Sequence, residues 1–123
     1  MRIRIFTKEC NELREEIRER AHKGEWSTWE TIDVGSKNLK RLIHVPSDDD
    51  QYRDIQLRLL NPSDEDIKAG VLYLDILPSV AAGSKLTLKQ RREKKAIVLG
   101  RFCEILNRYF PNLNGYRVIL KEK

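Results

Sequence analysis

The sequence is poor in the residues that bind metals and in those that attack substrates. It has two cysteines, two histidines and one methionine among 123 residues, and no Cys/His spacing typical of a zinc site. No serine or cysteine stands in a recognisable nucleophile motif, and no glycine-rich loop joins a predicted strand to a helix. These absences disfavour zinc chemistry, nucleophilic hydrolysis and a doubly wound nucleotide-binding fold, and we predict neither a cofactor nor a metal.

Long apolar stretches are also missing. No run approaches the roughly 20 apolar residues that a membrane helix needs, and the opening segment MRIRIFTKEC lacks the apolar core of a signal peptide. We therefore expect a cytoplasmic protein without a membrane partner. In a reducing compartment the two cysteines, Cys10 and Cys103, are expected to be buried free thiols on the apolar faces of helices.

Alternating apolar and polar residues predict six strands. In the first, at about 2–6, arginine and isoleucine alternate with the period of two that is typical of a half-buried strand. Similar patterns, bounded by turn-forming residues, predict strands at about 27–34, 39–46, 52–60, 71–79 and 116–120. Strand 71–79 is almost entirely apolar, so we expect it to lie in the centre of the sheet.

Apolar spacing and capping residues predict two helices. The first helix begins after Thr7, which is expected to be its N-cap. Its apolar stripe consists of Cys10, Leu13, Ile17 and Ala21. The second spans about 88–110 after Thr87 as its cap. Its apolar face is expected to hold two seams, Ala96, Leu99, Cys103, Leu106 and Phe110, and Val98, Phe102, Ile105 and Tyr109. A single capped turn is predicted at 63–70.

The resulting order, β-α-β-β-β-β-α-β, predicts one α+β domain that spans residues 1–123. We expect a two-layer sandwich in which both helices cover one face of a mixed, mostly antiparallel sheet of about six strands. The alternative topology is a ferredoxin-like core with an inserted hairpin. A chain of 123 residues is long enough for one hydrophobic core.

Positive charge is concentrated in the second half of the chain. From Leu77 onward there are eleven bases and three acids, whereas residues 44–76 hold eight acids and three bases. The cations at the start of the second helix are Lys85, Lys89, Arg91, Arg92, Lys94 and Lys95, which we call the basic helix start. Cations are unfavourable at a helix N-terminus, so this segment is a candidate site for an anion or nucleic acid. The alternative is a solvated surface whose charge is balanced by the acidic loops 48–50 and 64–66.

Trp26 and Trp29 lie close together in the segment GEWSTWE. Exposed tryptophans beside a turn stack on bases or anchor protein partners, which makes the pair a candidate interaction site. The alternative, based on the usual burial of tryptophan, is that the pair closes one end of the core.

Two polar motifs are candidates for metal binding or catalysis. We expect the aspartates at 48–50 to form a solvated loop, because adjacent side chains diverge and the ligand spacing of a calcium loop is absent. His44 is the one weak candidate for a catalytic residue. With Asp75 and Arg101 it would perform acid–base chemistry on a phosphodiester if the fold brought the three together. The alternative role of Arg101 is an ion pair with Glu104 or Asp75.

Four segments resemble a group of small bacterial proteins of unknown function. They are RIRIFT at 2–7, TW at 28–29, LDILP at 74–78 and GRFCEILNRYF at 100–110. The group shares an amino-terminal I-R-I-F-T strand and a late helix of the form G-R-F-x-E-x-L-x-x-x-F. The resemblance implies a bacterial source and supplies no activity. At the shared helix positions we expect Gly100 to allow close approach, and Phe102, Leu106 and Phe110 to enter the core.

These observations favour a small non-enzymatic binding module that contacts an acidic partner, nucleic acid or protein, through the basic helix start. One alternative is a protein-interaction module, such as a toxin-neutralising partner or the subunit of a homodimer, because the charges are separated into acidic and basic regions. A nuclease-like hydrolase that uses His44 is the weaker alternative.

Overall fold

The computed structural model describes residues 1–34, 39–46, 50–79 and 85–120. The strands are β1 (Arg2–Phe6), β2 (Trp29–Val34), β3 (Leu39–His44), β4 (Ile55–Leu59), β5 (Val71–Pro78) and β6 (Tyr116–Ile119). The helices are α1 (Cys10–His22), α2 (Asp64–Ala69) and α3 (Leu88–Tyr109), and a 3-10 turn spans Asp50–Tyr52. All six predicted strands and both predicted helices are therefore present, and the predicted capped turn is α2.

The strands form a single sheet in the order β2-β3-β4-β5-β1-β6. Every described pairing is antiparallel, so the prediction of a mixed sheet was wrong in that detail. The order β4-β5-β1-β6, with α1 and α3 as its long connections, is that of a ferredoxin-like β-α-β-β-α-β unit. The hairpin of β2 and β3 extends this unit at one edge. The α+β sandwich is confirmed, and its strand order also agrees with the alternative topology.

Both long helices cover the same face of the sheet. Strand residues with alternating positions, such as Ile3 and Ile5 of β1 and Leu72 and Leu74 of β5, are fully buried against them. The four predicted apolar residues of α1 are all buried, and they belong to the same core cluster as residues of α3. The apolar side chains of the alternating strands and those of the helices therefore form one shared core. None of the described helices combines the length and apolar content that crossing a membrane requires.

Side-chain caps fix where two of the helices begin. Thr87 Oγ1 accepts a hydrogen bond from the Gln90 N–H at 3.1 Å, and Gln90 Oε1 accepts one from the Thr87 N–H at 2.9 Å. Residues 63–66 make the same reciprocal pair at the start of α2. The predicted cap of α1 was wrong, because Glu9 is the N-cap residue and has no side-chain cap. Thr7 Oγ1 instead accepts from the Glu9 N–H at 3.1 Å, just outside the helix.

The apolar face of α3 is less fully buried than predicted, and its seam residues Ile105 and Tyr109 are only half-buried. Ala96 and Gly100 are exposed, whereas Cys103 is half-buried. A Cβ atom added at Gly100 would meet no atom within 4 Å, so this glycine does not serve a close approach. Cys10 is buried as predicted, and its Sγ donates to the Val71 carbonyl at 3.2 Å. Both cysteines are free thiols.

Candidate functional site

Except for Lys85, which precedes the cap Thr87, the basic helix start occupies the first two turns of a well-capped helix. The first turn of α3 contains no acidic residue, although acids are the residues that the helix dipole favours there. The second half of α3 is anchored in the core by Val98, Phe102 and Leu106. The cations are therefore held on a fixed element, and their charge adds to the positive end of the dipole.

Most of the predicted cations have no ion-pair partner in the part of the chain that the structure describes. Lys85, Lys89 and Arg92 are exposed and Arg91 is half-buried. Within the described residues none of these four side chains makes an ion pair, and the buried Nε of Arg91 has no hydrogen-bond partner. By contrast, the arginines of α1 are half-buried and are paired with acids, for example Arg18 with Glu15 at 3.1 Å.

Lys94 and Lys95 depart from the prediction. The Lys94 Nζ donates to the Gln51 carbonyl at 2.9 Å, which ties α3 to the turn before β4. Lys95 is only 8% exposed, so its inclusion in the binding surface was wrong. The physical reason is its spacing, because Lys95 precedes Val98 and Leu99 by three and four residues and shares their buried face.

Of the two acidic loops expected to balance the cations in the alternative interpretation, one lies within the described residues. The side chains of loop 48–50 lie outside the described residues. Residues 64–66 form the first turn of α2, where acids are favourable, and none of them makes an ion pair with the described part of the basic helix start.

His44 lies in a pocket of about 400 Å³ beside the same helix. The pocket is lined by Thr28, His44, Pro46, Gln51, Tyr52, Ile97, Arg101 and Glu104. The ring of His44 is 4% exposed, with centroids 4.9 Å from Trp29 and 5.8 Å from Tyr52. Its Nδ1 lies 3.1 Å from the Thr28 carbonyl, which only accepts hydrogen bonds, so Nδ1 carries the hydrogen.

Burial lowers the pKa of His44, and the charge of Arg101 lowers it further, while the Thr28 hydrogen bond acts in the opposite direction. The ring is therefore neutral near pH 7, with its second nitrogen able to accept a proton. This is a property that a general base needs, although it is also ordinary for a histidine inside a core.

The catalytic trio suggested by the sequence is only partly assembled. Arg101 lines the His44 pocket, and it pairs with Glu104 at 3.1 Å, which matches its alternative structural role. Asp75 lies instead on β5, where it pairs with Arg2 and Arg58. Among the described residues no group of three histidine, cysteine or acidic side chains could hold a metal ion. The pocket therefore brings together His44, Arg101 and Glu104 without Asp75.

The two tryptophans are part of the core, so their assignment as exposed interaction residues was wrong. Each is 2% exposed. The ring of Trp26 lies 6.1 Å from that of Phe110, and the ring of Trp29 lies 5.4 Å from that of Phe102, both edge-on. Aromatic pairs of this geometry stabilise a core, and the alternative of a core-closing pair is the arrangement that is present.

A second set of cations was missed by the sequence analysis. On the sheet face turned away from α1 and α3, the register brings together five arginines, which we call the arginine face. They are Arg2, Arg4, Arg41, Arg58 and Arg117. Except for Arg41, each occupies a polar position of an alternating strand, and this alternation was the signal that the sequence offered.

Comparisons of the chain with models of protein families, with curated proteins and with solved structures find no match. The resemblance to small bacterial proteins through the first strand and the last helix stays a prediction.

Proposed function

We propose that this protein is a non-enzymatic binding module that contacts an acidic macromolecule, foremost nucleic acid, through the basic helix start. The observation that carries the proposal is the set of cations at the positive end of α3 that lack an ion-pair partner within the described residues. With Lys95 removed from the set, the contacting residues are Lys85, Lys89, Arg91, Arg92 and Lys94.

The charge arrangement is unfavourable for folding and favourable for binding an anion. A charge within the first turn of a helix contributes about 0.3–1 kcal/mol, and Lys89 and Arg91, which lie in the first turn of α3, have the unfavourable sign. A phosphate group would reverse that sign, because backbone N–H groups, the dipole and the side chains would all attract it. The release of counterions from a nucleic acid would add further free energy of binding.

The proposal predicts binding that falls steeply with salt. Labelled single-stranded and duplex oligonucleotides would be titrated by fluorescence anisotropy at several salt concentrations. The double variant Lys89→Gln, Arg92→Gln should weaken binding and reduce the slope of log K against log salt by about 1.8 on duplex DNA. The matched control is Lys8→Gln, Lys68→Gln, which removes the same charge at exposed residues outside the basic helix start.

Two results would contradict the proposal. One is the absence of binding to either oligonucleotide at low salt. The other is an equal loss of affinity in the helix variant and in the control, because that would show a response to net charge alone. If an acidic protein rather than an oligonucleotide competes for the Lys89 and Arg92 surface, the partner is the protein.

A protein-interaction module is the second candidate. Strands β2 and β6 are the two edges of the sheet, and edge strands present unpaired backbone groups to other chains. This reading predicts a homodimer or a complex with a second protein. Sedimentation over a range of protein concentrations would test the dimer, and a monomer at every concentration would exclude it.

A hydrolase is the weakest candidate, supported by the neutral His44 beside Arg101 in one pocket. The test compares the degradation of RNA and DNA by the natural protein and by His44→Ala. Equal rates would exclude a catalytic role for His44.

A further inference from the structure

The arginine face extends over five adjacent strands of the sheet, in the order β3-β4-β5-β1-β6. Arg2 of β1 lies opposite Asp75 of β5, and Arg58 of β4 lies opposite the same aspartate from the other side. Arg4 of β1 lies between Tyr73 of β5 and Arg117 of β6. Arg41 belongs to β3 and lies on the same face. The five guanidinium groups therefore span most of the sheet.

Three of these arginines have no acidic partner within the described residues. Arg2 and Arg58 share Asp75, at 2.7 Å and 3.1 Å. Arg4, Arg41 and Arg117 make no ion pair there, and Arg41 donates to the neutral Gln56 Oε1 at 2.6 Å. Because directly opposed like charges destabilise a sheet, the pair formed by Arg4 and Arg117 is unfavourable on its own.

The pKa of Arg41 reflects both its burial and a neighbouring cation. Burial lowers the pKa of Arg41, and the charge of Arg58 lowers it further. Because Asp75 is the acid paired with Arg2 and Arg58, and the other three arginines have no acidic partner within the described residues, the face carries unneutralised positive charge, and an anion would relieve the repulsion.

Aromatic rings alternate with the cations in the middle of the face. The guanidinium carbon of Arg2 lies 4.9 Å from the centre of the Tyr73 ring, and that of Arg4 lies 5.9 Å from it. Arg4 also lies 5.2 Å from the centre of the Phe6 ring. A guanidinium that stacks through its face keeps the N–H donors at its edge for phosphate. The Nε groups of Arg4 and Arg58 are buried and have no hydrogen-bond partner in the described structure, so a phosphate would meet the terminal N–H groups of these arginines first.

We propose that the arginine face binds single-stranded nucleic acid, with phosphates on Arg4, Arg41 and Arg117 and a base stacked at Tyr73. Charge complementarity identifies a polyanion, and the central aromatic ring favours one whose bases are unpaired. In a duplex the faces of the bases are already stacked on one another. Six strands at about 4.8 Å spacing give a surface about 24 Å across, which accommodates several nucleotides.

This inference concerns a different surface from the basic helix start, so the two are tested by separate variants. Labelled single strands of about 12 nucleotides, DNA and RNA, would be titrated with each variant, with a duplex of the same sequence as the comparison. The double variant Arg4→Gln, Arg117→Gln should reduce the salt slope on the single strand by about 1.4. Because it also removes the opposed charges, we expect this variant to fold at least as well as the natural protein.

Tyr73 provides a test that charge alone cannot mimic. Tyr73→Ala should weaken single-strand binding by roughly 5- to 150-fold, the range for the loss of one stacked base, whereas Tyr73→Phe should keep most of the affinity. Unfolding measurements on both variants would show whether the alanine variant is folded under the binding conditions.

Amide chemical shifts of the natural protein give a test that needs no variant. Adding the single strand should shift the resonances of β1, β5 and β6 more than those of the first turns of α3. Shifts confined to α3, or a sheet variant that binds as well as the natural protein, would overturn the inference and leave the helix proposal intact. Preference for the duplex, or no binding at all, would also overturn it.

Discussion

Replacing Asp75 with asparagine should destabilise the protein and at the same time strengthen its binding of single-stranded nucleic acid. Asp75 is the carboxylate that holds Arg2 and Arg58 together in the middle of the arginine face. Its removal breaks these ion pairs, which lowers stability. It also adds one unit of positive charge to the face, which should increase its affinity for an anion severalfold.

The contacts of Asp75 set the size of the stability effect. Its oxygens accept hydrogen bonds from Arg2 at 2.7 Å and 3.3 Å and from Arg58 at 3.1 Å. The Asp75 side chain is 18% exposed, whereas the arginines are 42% and 43% exposed. An exposed ion pair contributes about 0.2–1 kcal/mol, and breaking a buried one costs about 3–5 kcal/mol. For this intermediate case we expect the free energy of unfolding to fall by about 2 kcal/mol at pH 7.

The pH dependence of this difference has a definite sign. Burial raises the pKa of Asp75, but hydrogen bonds and charges from Arg2 and Arg58 outweigh it, so the pKa in the folded protein lies below its usual value. The stabilisation is fully present above the unfolded pKa of about 3.9 and is lost as the pH falls through the lower folded pKa. The stability difference between the natural protein and the variant should therefore shrink below about pH 4.

Urea unfolding and fluorescence anisotropy would check the two effects on the same samples. A loss of about 2 kcal/mol would lower the unfolding midpoint by roughly 1 M urea. The control is Asp33→Asn, which makes the same charge change at an exposed residue of the edge strand β2. An unchanged midpoint at pH 7 would refute the stabilising role of the ion pairs. Weaker single-strand binding by the folded variant would refute the nucleic-acid role of the arginine face.

Three further predictions test local features of the structure. Gly70→Ala should cost about 1–2 kcal/mol of stability, because φ is +69° there and the new Cβ would lie 3.3 Å from a backbone oxygen. Gly100→Ala, in an open position on α3, should instead stabilise the protein by about 0.5–1 kcal/mol. Thermal unfolding would compare the two variants. NMR should show that the ring of His44 titrates below the usual pKa of histidine. The unfolded chain therefore binds a proton at this ring more readily than the folded protein does, so His44→Gln should remove part of the stability loss between pH 7 and pH 5. Trp26 and Trp29 should be poorly quenched by acrylamide, and an oligonucleotide should not quench them by stacking; strong quenching in either experiment would contradict their burial.

The fold was largely predictable because its core follows local periodicity. Alternating isoleucines mark the buried side of β1, and the stripe of α1 is apolar at a spacing that only one helix face satisfies. The Thr87 and Ser63 caps were also visible as short sequence signals. The long apolar face of α3 was harder, because two seams one residue apart allow a small error in helical phase. That error placed Ala96 inside and Lys95 outside.

The candidate sites were less predictable because they depend on which strands become neighbours. The period of two shows that Arg2 and Arg4 leave the core, but it does not show that β6 will place Arg117 beside them. The cations of the basic helix start, by contrast, are close together along the chain, so the sequence alone predicts that cluster. The burial of Trp26 and Trp29 likewise depends on rings from α3, which sequence spacing alone does not bring near.

The ion pairs of this protein divide its cations into two kinds. Those on α1, such as Arg18, are paired with acids of the same helix, so their charge is largely used within the fold. On the arginine face and at the basic helix start, most cations have no such partner within the described residues. Because unpaired like charges oppose folding, a surface that keeps them must either tolerate the cost or have an external anion that offsets it. Asp75 distinguishes the two possibilities, because it stabilises the sheet by neutralising Arg2 and Arg58, which would otherwise be able to attract an anion. If an external anion binds this face, removing Asp75 should lower the stability of the protein and raise its affinity for the anion.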